Sequence, residues 1–165
     1  MRLIPYTDEH LALSLALEED PVAMKHIGGP RPREEILKVH PTRVKTSAEL
    51  GLYLVVAPDD SDEPMGSMGI WETEHNGEKT YEMGWMLLPA FHGRGIATEA
   101  GRMLLAKARR NPAIKEVWAF PGQDNAASNA ICRKLGFDLV GKSDVSFSGR
   151  QLHCNDWRLD MSTLG

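Results

Sequence analysis

The sequence has few cysteines. Cys132 and Cys154 are the only two, and they do not form a C-x-x-C pair. Neither a disulfide scaffold nor a paired-cysteine zinc site is therefore expected. The histidines at positions 10, 26, 40, 75 and 153 also lack the spacing of metal ligands. The sequence predicts a protein without a bound metal, suited to a reducing compartment.

Long apolar runs are lacking as well. No stretch approaches the roughly 18–20 apolar residues of a membrane span, and the opening residues, MRLIPYTDEH, contain no signal-peptide core. A net charge of -4 disfavours bulk binding to nucleic acid. We therefore expect a cytoplasmic protein with neither a membrane nor a nucleic-acid partner.

What the chain does contain is the balance of a globular domain. Hydrophobic residues make up 42% and charged residues 25% of its 165 residues, which suits one domain spanning residues 1–165. The predicted helices run from Asp8 to about Met24, over 33–50, over 96–110, and from Asp124 or Asn125 to Gly136. The predicted strands cover 2–7, 52–57, 65–71, 80–88, 116–120, 137–140 and 153–159, with residues 141–149 as a loop.

The order of these elements predicts a mixed α/β architecture. Three successive strands separated by turns favour an antiparallel meander. Strand 80–88, helix 96–110 and strand 116–120 form a βαβ unit, so these two strands should be parallel. The sheet is therefore expected to be mostly antiparallel, with one parallel pair and helices flanking it.

The segment from His92 to Thr98 carries the strongest functional signal. Its glycines stand where a strand gives way to a helix, and the first turn of a helix has main-chain amides without internal partners. Residues 91–110 contain five basic residues against one acidic residue. These features predict a phosphate or pyrophosphate site. No P-loop pattern is present, and Gly93-x-Gly95 lacks the third glycine of a dinucleotide fingerprint.

Two motifs resemble those of a known family. They are the run from Glu82 to Ala100, with His92-x-x-Gly95-x-Ala97 at its centre, and Asn125-Ala126-Ala127-Ser128 followed by Lys134-Leu135-Gly136-Phe137. Both are similar to motifs of the GCN5-related N-acetyltransferases (GNAT), and closest to the branch that includes the ribosomal-protein N-terminal acetyltransferases. The strong resemblance covers about residues 80–140.

The resemblance implies acetyl-CoA as co-substrate and a splayed parallel strand pair that receives its pantetheine arm. Main-chain groups of Met86, Leu87 and Leu88 would pair with that arm, and Asn125 and Ser128 would face its thioester end. The implied pyrophosphate residues are His92, Gly93, Arg94, Gly95, Ile96, Ala97 and Thr98.

The implied reaction is direct transfer of an acetyl group to a primary amine. Glu82 is our candidate general base. The alternative is that it is a glutamate on the polar face of a strand that is only solvated or pairs with a neighbour. Ser128 is the candidate general acid, since relatives often carry a tyrosine where Cys132 stands. Cys132 itself is expected to pack in the core.

The acceptor and the assembly stay open at this stage. The acceptor is predicted to be a peptide N-terminus or a small amine, and a homodimer remains an option. Acidic residues crowd positions 57–82 and could attract a cationic acceptor, although a solvated surface explains them equally well. The alternative function is a non-catalytic acyl-CoA-binding module for sensing or assembly, which would bind CoA without turnover.

Overall fold

The computed structural model describes residues 1–164, and its strands form a seven-stranded sheet in the order β1-β2-β3-β4-β5-β7-β6. The strands are β1 Arg2–Pro5, β2 Tyr53–Ala57, β3 Gly66–His75, β4 Glu78–Leu87, β5 Glu116–Ala119, β6 Asp138–Phe147 and β7 Arg150–Asp160. The helices are α1 Leu11–Glu18, α2 Arg33–Leu50, α3 Ile96–Ala108 and α4 Ala126–Lys134.

The sheet has one parallel pair in the described chain, β4 with β5. All other neighbouring strands run antiparallel, so the predicted mixed architecture is confirmed. The parallel pairing is limited to Glu82 opposite Trp118. Residues 83–87 of β4 therefore have a strand beside them only on the β3 side.

Apolar side chains are buried on both faces of the sheet. The larger core lies between the sheet and α3 with α4, and includes Met83, Leu104 and Phe137. The smaller core packs α1 against β1 and β2 through Tyr6, Leu17 and Val55. The sheet is thus covered on both sides, which is the layered arrangement expected when strands alternate with helices.

The β3–β4 hairpin is longer than predicted. Asn76 and Gly77 connect its strands with φ angles of 53° and 79°, the left-handed conformations that a two-residue type I′ turn requires. The predicted Asn-Gly turn is confirmed, and the ladder extends to the pair His75 and Glu78.

The N-terminal helices differ from the prediction in their bounds. Thr7, not Asp8, precedes a short 3-10 turn, and α1 begins only at Leu11. α1 ends at Glu18, far short of Met24, because the Asp20 carboxylate accepts the amides of Val22 and Ala23, each at 2.8 Å, and forms a separate turn. α2 is one continuous helix despite its internal Pro41.

The predicted loop over 141–149 is wrong. β6 and β7 instead form a long hairpin that turns at Ser148 and Gly149, whose φ angles are 48° and 72°. β6 is one of the two edge strands of the sheet, and most of its side chains are exposed. An exposed strand needs no apolar alternation, so the sequence carried no periodic signal for it.

A matched pair of glycine substitutions tests the predicted end of α4. Gly136 has φ +86° and open space around it, because the nearest neighbour of an added methyl group would lie 3.9 Å away. Gly136→Ala should therefore cost about 1–2 kcal/mol through backbone strain alone. Gly141, whose φ is not positive and whose added Cβ would lie 3.4 Å from Asp156 Oδ2, is the control. Equal free energies of unfolding in urea for the two variants would contradict this account.

Candidate active site

The turn before α3 presents a row of unpartnered main-chain amides. Within residues 1–164, none of the amides of residues 93–98 donates a hydrogen bond to another group. Gly93 and Gly95 have φ angles of 72° and 77°, and nothing lies within 4 Å of a Cβ placed on either. Because the helix N-terminus adds a partial positive charge, this open turn can hold an anionic phosphate group.

His92 is oriented toward the strand and not toward that turn. Its ring Nε2 lies 2.8 Å from the Leu87 carbonyl oxygen, and its amide donates to the Pro89 carbonyl at 3.1 Å. His92 thus anchors the turn to the end of β4. Its ring and amide, which the resemblance assigned to the pyrophosphate, already have partners.

The main chain at the end of β4 is only partly available. The Leu88 amide donates to Met65 and its carbonyl accepts from the Phe91 amide, each at 2.9 Å, so the expectation of free groups at Leu88 is wrong. A 3-10 turn begins at Pro89 and requires that carbonyl. Since hydrogen-bonding groups of adjacent strand residues point to opposite sides, the Leu87 amide faces the open edge beside β5. The same alternation turns the main chain of Met86 toward Ser67 on β3, so the expectation of free main-chain groups at Met86 is also wrong. It puts the main chain of Trp85, which the sequence did not single out, on the open edge.

A cavity of about 730 Å³ occupies the gap between β4 and β5, a size suited to a small ligand. Four of the predicted site residues line it: Glu82, Met86, Asn125 and Ser128. The turn 92–98 lies outside this lining. The predicted residues therefore fall into two groups, one around the cavity and one at the open helix terminus.

Glu82 lies in the middle of the sheet, between Trp71 on β3 and Trp118 on β5. Burial raises its pKa to about 7, and an interaction with the Trp71 side chain offsets only part of that rise. No basic group forms an ion pair with it in the described chain. A carboxyl group with this pKa exchanges a proton readily near neutral pH.

Asn125 and Ser128 begin α4, and the cap is Asn125, one of the two residues predicted. Its Oδ1 accepts the Ser128 amide at 3.0 Å, which satisfies one of the amides at the helix start. The Ser128 hydroxyl makes no hydrogen bond within residues 1–164, and Ser128 lines the cavity. That hydroxyl can therefore serve a bound ligand.

The two cysteines have different surroundings. Cys132 is fully buried in the larger core, and burial raises the pKa of its thiol to about 12, which confirms the prediction that it packs. Cys154 is buried as well, but it borders the cavity. Burial, with Asp156 and Glu82 nearby, raises its pKa to about 11.

The acidic stretch over 57–82 is dispersed by the fold. Asp59 and Asp62 pair with the N-terminus and Arg2 at the outer edge of the sheet. Glu72 pairs with Lys79 at 2.9 Å. Of the acidic residues in this stretch, only Glu72 and Glu82 line the cavity, so the stretch does not form one anionic surface.

A buried ion network forms one wall of the cavity, and no local pattern in the sequence indicates it. Glu18 is fully buried and accepts hydrogen bonds from Arg31, at 2.9 Å, and from Arg43. Arg31 also reaches Glu35 at 3.3 Å and the Ser148 hydroxyl at 3.1 Å. The two glutamates and two arginines thus hold α1, α2 and the tip of the β6–β7 hairpin together, and their formal charges sum to zero.

Asn129 fixes the opposite wall. Its Nδ2 donates to the carbonyls of Gly122, at 2.9 Å, and Asn125, at 2.7 Å. Its Oδ1 accepts from Asn155 and from the Trp157 indole, each at 2.8 Å. One buried amide thereby ties the start of α4 to the loop after β5 and to β7, which sets the position of Asn125 and Ser128.

With this geometry in place, comparison with known proteins gives a clear family. A family model described as "Acetyltransferase (GNAT) domain" matches residues 1–138. The chain belongs to this GNAT family. The expected family fold is confirmed, and acetyl-CoA is the acetyl donor that membership implies.

Solved structures share the GNAT fold at low identity. An acetyltransferase of the GNAT family from Bacillus anthracis is 17% identical with a TM-score of 0.76, covering 97% of this chain and 94% of that chain. RimL, a ribosomal L7/L12 α-N-protein acetyltransferase in complex with CoA, is 19% identical with a TM-score of 0.74, covering 96% and 92%. Spermidine N-acetyltransferase from Vibrio cholerae, in complex with CoA and spermine, is 14% identical with a TM-score of 0.75, covering 98% and 95%.

Residues 1–164 of this GNAT protein contain neither a membrane-spanning helix nor a cluster of metal-binding side chains. None of the described helices combines the length and the apolar character that crossing a membrane requires. The same part of the chain shows no group of three or more histidine, cysteine or acidic side chains that could hold a metal ion.

Removing the Asn129 amide should loosen the wall that carries Ser128. We expect Asn129→Ala to lower the free energy of unfolding by about 3 kcal/mol, because several buried groups lose their partner at once. Asn155→Ala removes only one of these bonds and should cost about 1 kcal/mol. Urea denaturation of the two variants checks the difference, and similar losses would show that Asn129 is not the centre of the network.

Proposed function

We propose that this protein is an N-acetyltransferase that transfers an acetyl group directly from acetyl-CoA to a primary amine. The acceptor is a small amine or a peptide N-terminus, and the chain acts as one cytoplasmic domain. The observation that carries the proposal is the position of Glu82, a carboxyl group without an ionic partner in the described chain, beside the gap between β4 and β5.

The residues at the start of α3 fit the pyrophosphate of CoA. The unpartnered amides of residues 93–98 can each donate to a phosphate oxygen, and the positive end of the helix favours the negative charge. Arg94 is exposed beside them. The open edge of β4, with the Leu87 amide, can accept the extended arm as an added strand.

Acetyl-CoA supplies an activated acyl group as a thioester, so the protein must position the amine and remove its proton. Glu82 is suited to accept that proton, directly or through water, because its pKa of about 7 leaves it largely ionised just above neutral pH. Main-chain amides on the open edge of β4 are suited to polarise the carbonyl oxygen. Holding both reactants in one cleft supplies further acceleration.

Ser128 is the residue on α4 that can return a proton to the leaving sulfur. Its hydroxyl has no partner in residues 1–164, and the residue lines the same cavity as Glu82. Cys132, one turn further along, is buried in the core and does not line the cavity. The acid role therefore falls to Ser128 or to solvent.

A glutamate at the α3 turn should abolish CoA binding. Gly95→Glu adds a negative charge and a side chain where the phosphates would sit, and we expect calorimetric affinity for CoA to fall at least about 100-fold. Gly77→Glu is a matched control, because Gly77 has nearly the same φ, 79° against 77°, and equally open surroundings in a different turn. Unchanged CoA affinity in Gly95→Glu would refute the assigned site.

The pH profile should identify Glu82 as the base. We expect kcat/KM, measured by amine-dependent release of free thiol, to rise with pH through an ionisation near 7. Glu82→Gln should remove that limb and lower kcat about 100-fold or more. A protein that binds CoA tightly but releases no thiol with any amine would instead be the non-catalytic module.

The raised pKa of Glu82 also affects the stability of the folded protein. Because the folded state raises this pKa above its ordinary value of 4.5 to about 7, stability should fall as pH rises between these values. The fall should be absent in Glu82→Gln. A wild-type protein whose pH dependence of unfolding matches that of the variant would show that Glu82 is not perturbed.

A further inference from the structure

Two glycines in the centre of the sheet leave room for aromatic rings to pack directly against it. Gly69 and Gly84 are paired across β3 and β4. A Cβ on Gly84 would lie 2.5 Å from Cη2 of Trp71, and one on Gly69 would lie 2.4 Å from Cδ2 of Tyr53. The two rings therefore cover the glycines, with centroids 6.3 Å apart.

The Trp71 indole is the more accessible part of this surface. Both residues line the cavity, but Trp71 is half-buried, whereas Tyr53 is buried beneath Arg43. Trp71 is also the direct cross-strand neighbour of Glu82. A planar surface thus adjoins the candidate base. We call the half-buried Trp71 ring over Gly84 the indole platform.

Apolar side chains from other elements complete the cavity around the platform. They come from the loop before α2, from the residue that follows β5 and from the β6–β7 hairpin: Ile27, Phe120, Val145, Phe147 and Leu152. Surroundings of this kind favour a ligand with a planar or apolar body, because aromatic rings gain from offset or edge contacts in addition to burial.

The charges in the cavity point to a single cationic group. Four carboxylates line it, and three already have basic partners. Glu18 binds Arg31 and Arg43, Glu49 lies 3.9 Å from Lys45, and Glu72 lies 2.9 Å from Lys79. Glu82 has no such partner in residues 1–164. A ligand with several separated ammonium groups would find one uncompensated carboxylate, not a row of them.

We infer that the acceptor is a small amine with one amino group on a planar, apolar body, an arylalkylamine in chemical class. This inference rests on the proposed function. The aromatic part lies on the indole platform, and the amine reaches Glu82 and the gap between β4 and β5. Polyamines and peptide N-termini lack the matching body and are poorer acceptors.

A panel of acceptors tests the inference directly. Thiol release from acetyl-CoA is measured with 2-phenylethylamine, n-butylamine, spermidine and an alanine-rich hexapeptide. We expect kcat/KM for 2-phenylethylamine to exceed each of the others at least tenfold. A smaller or reversed preference overturns the inference while the transferase function stands. If none of these acceptors causes thiol release, although the protein binds CoA and Gly95→Glu abolishes that binding, the proposed function itself is refuted.

Displacing the indole without deleting it gives a second test. Gly84→Ala places a methyl group against the far edge of the Trp71 ring, so KM for 2-phenylethylamine should rise at least tenfold. The affinity for CoA measured by calorimetry should persist, and so should the rise of kcat/KM with pH near 7. Gly84→Ala/Trp71→Phe removes the contacted ring atoms and should recover part of the loss.

Trp71→Ala guards against a folding defect in the glycine variant, because it removes the ring without adding volume. It should raise KM for 2-phenylethylamine at least as much, and it should change KM for n-butylamine less than threefold. Equal losses for the two amines, or an unchanged KM for 2-phenylethylamine in a folded variant, would overturn the assignment.

Discussion

The site depends on the brevity of one parallel pairing. β4 and β5 meet at Glu82 and Trp118 and at no further register pair, so the remaining length of β4 has an unpaired edge. An unpaired edge would ordinarily invite aggregation, but here a cavity adjoins it and helices cover both faces of the sheet. The same parting of the strands exposes main-chain groups for a ligand and brings Glu82 to the cavity.

The two parts of the candidate site offer different chemistry. At the α3 turn, the groups that can bind are main-chain amides, and their positions follow from two glycines and a helix terminus. Around the cavity, Trp71, the buried Glu18 network and the β6–β7 hairpin supply side chains. Solved structures that are 14–19% identical to this chain retain the fold, with TM-scores of 0.74–0.76.

The sequence predicted the parts of the site that local patterns specify. The glycine turn, the cap at Asn125, the terminating glycine at Gly136 and the parallel order of β4 and β5 each follow from a short run of residues. The Glu18 network joins residues far apart in sequence, and nothing near Glu18 marks it. Likewise, the loss of Leu88 as a main-chain partner follows from a tight turn closing at Phe91, a detail that strand periodicity does not encode.

The buried ion network explains why this wall of the cavity can be apolar although charges line it. A buried carboxylate is costly unless paired, and Glu18 is paired twice, while Arg31 shares its second contact with Glu35. The charges of the network thus cancel among themselves. Glu82 is then the one carboxyl group of the described lining without a basic partner, so the network that fixes the wall does not engage the candidate base.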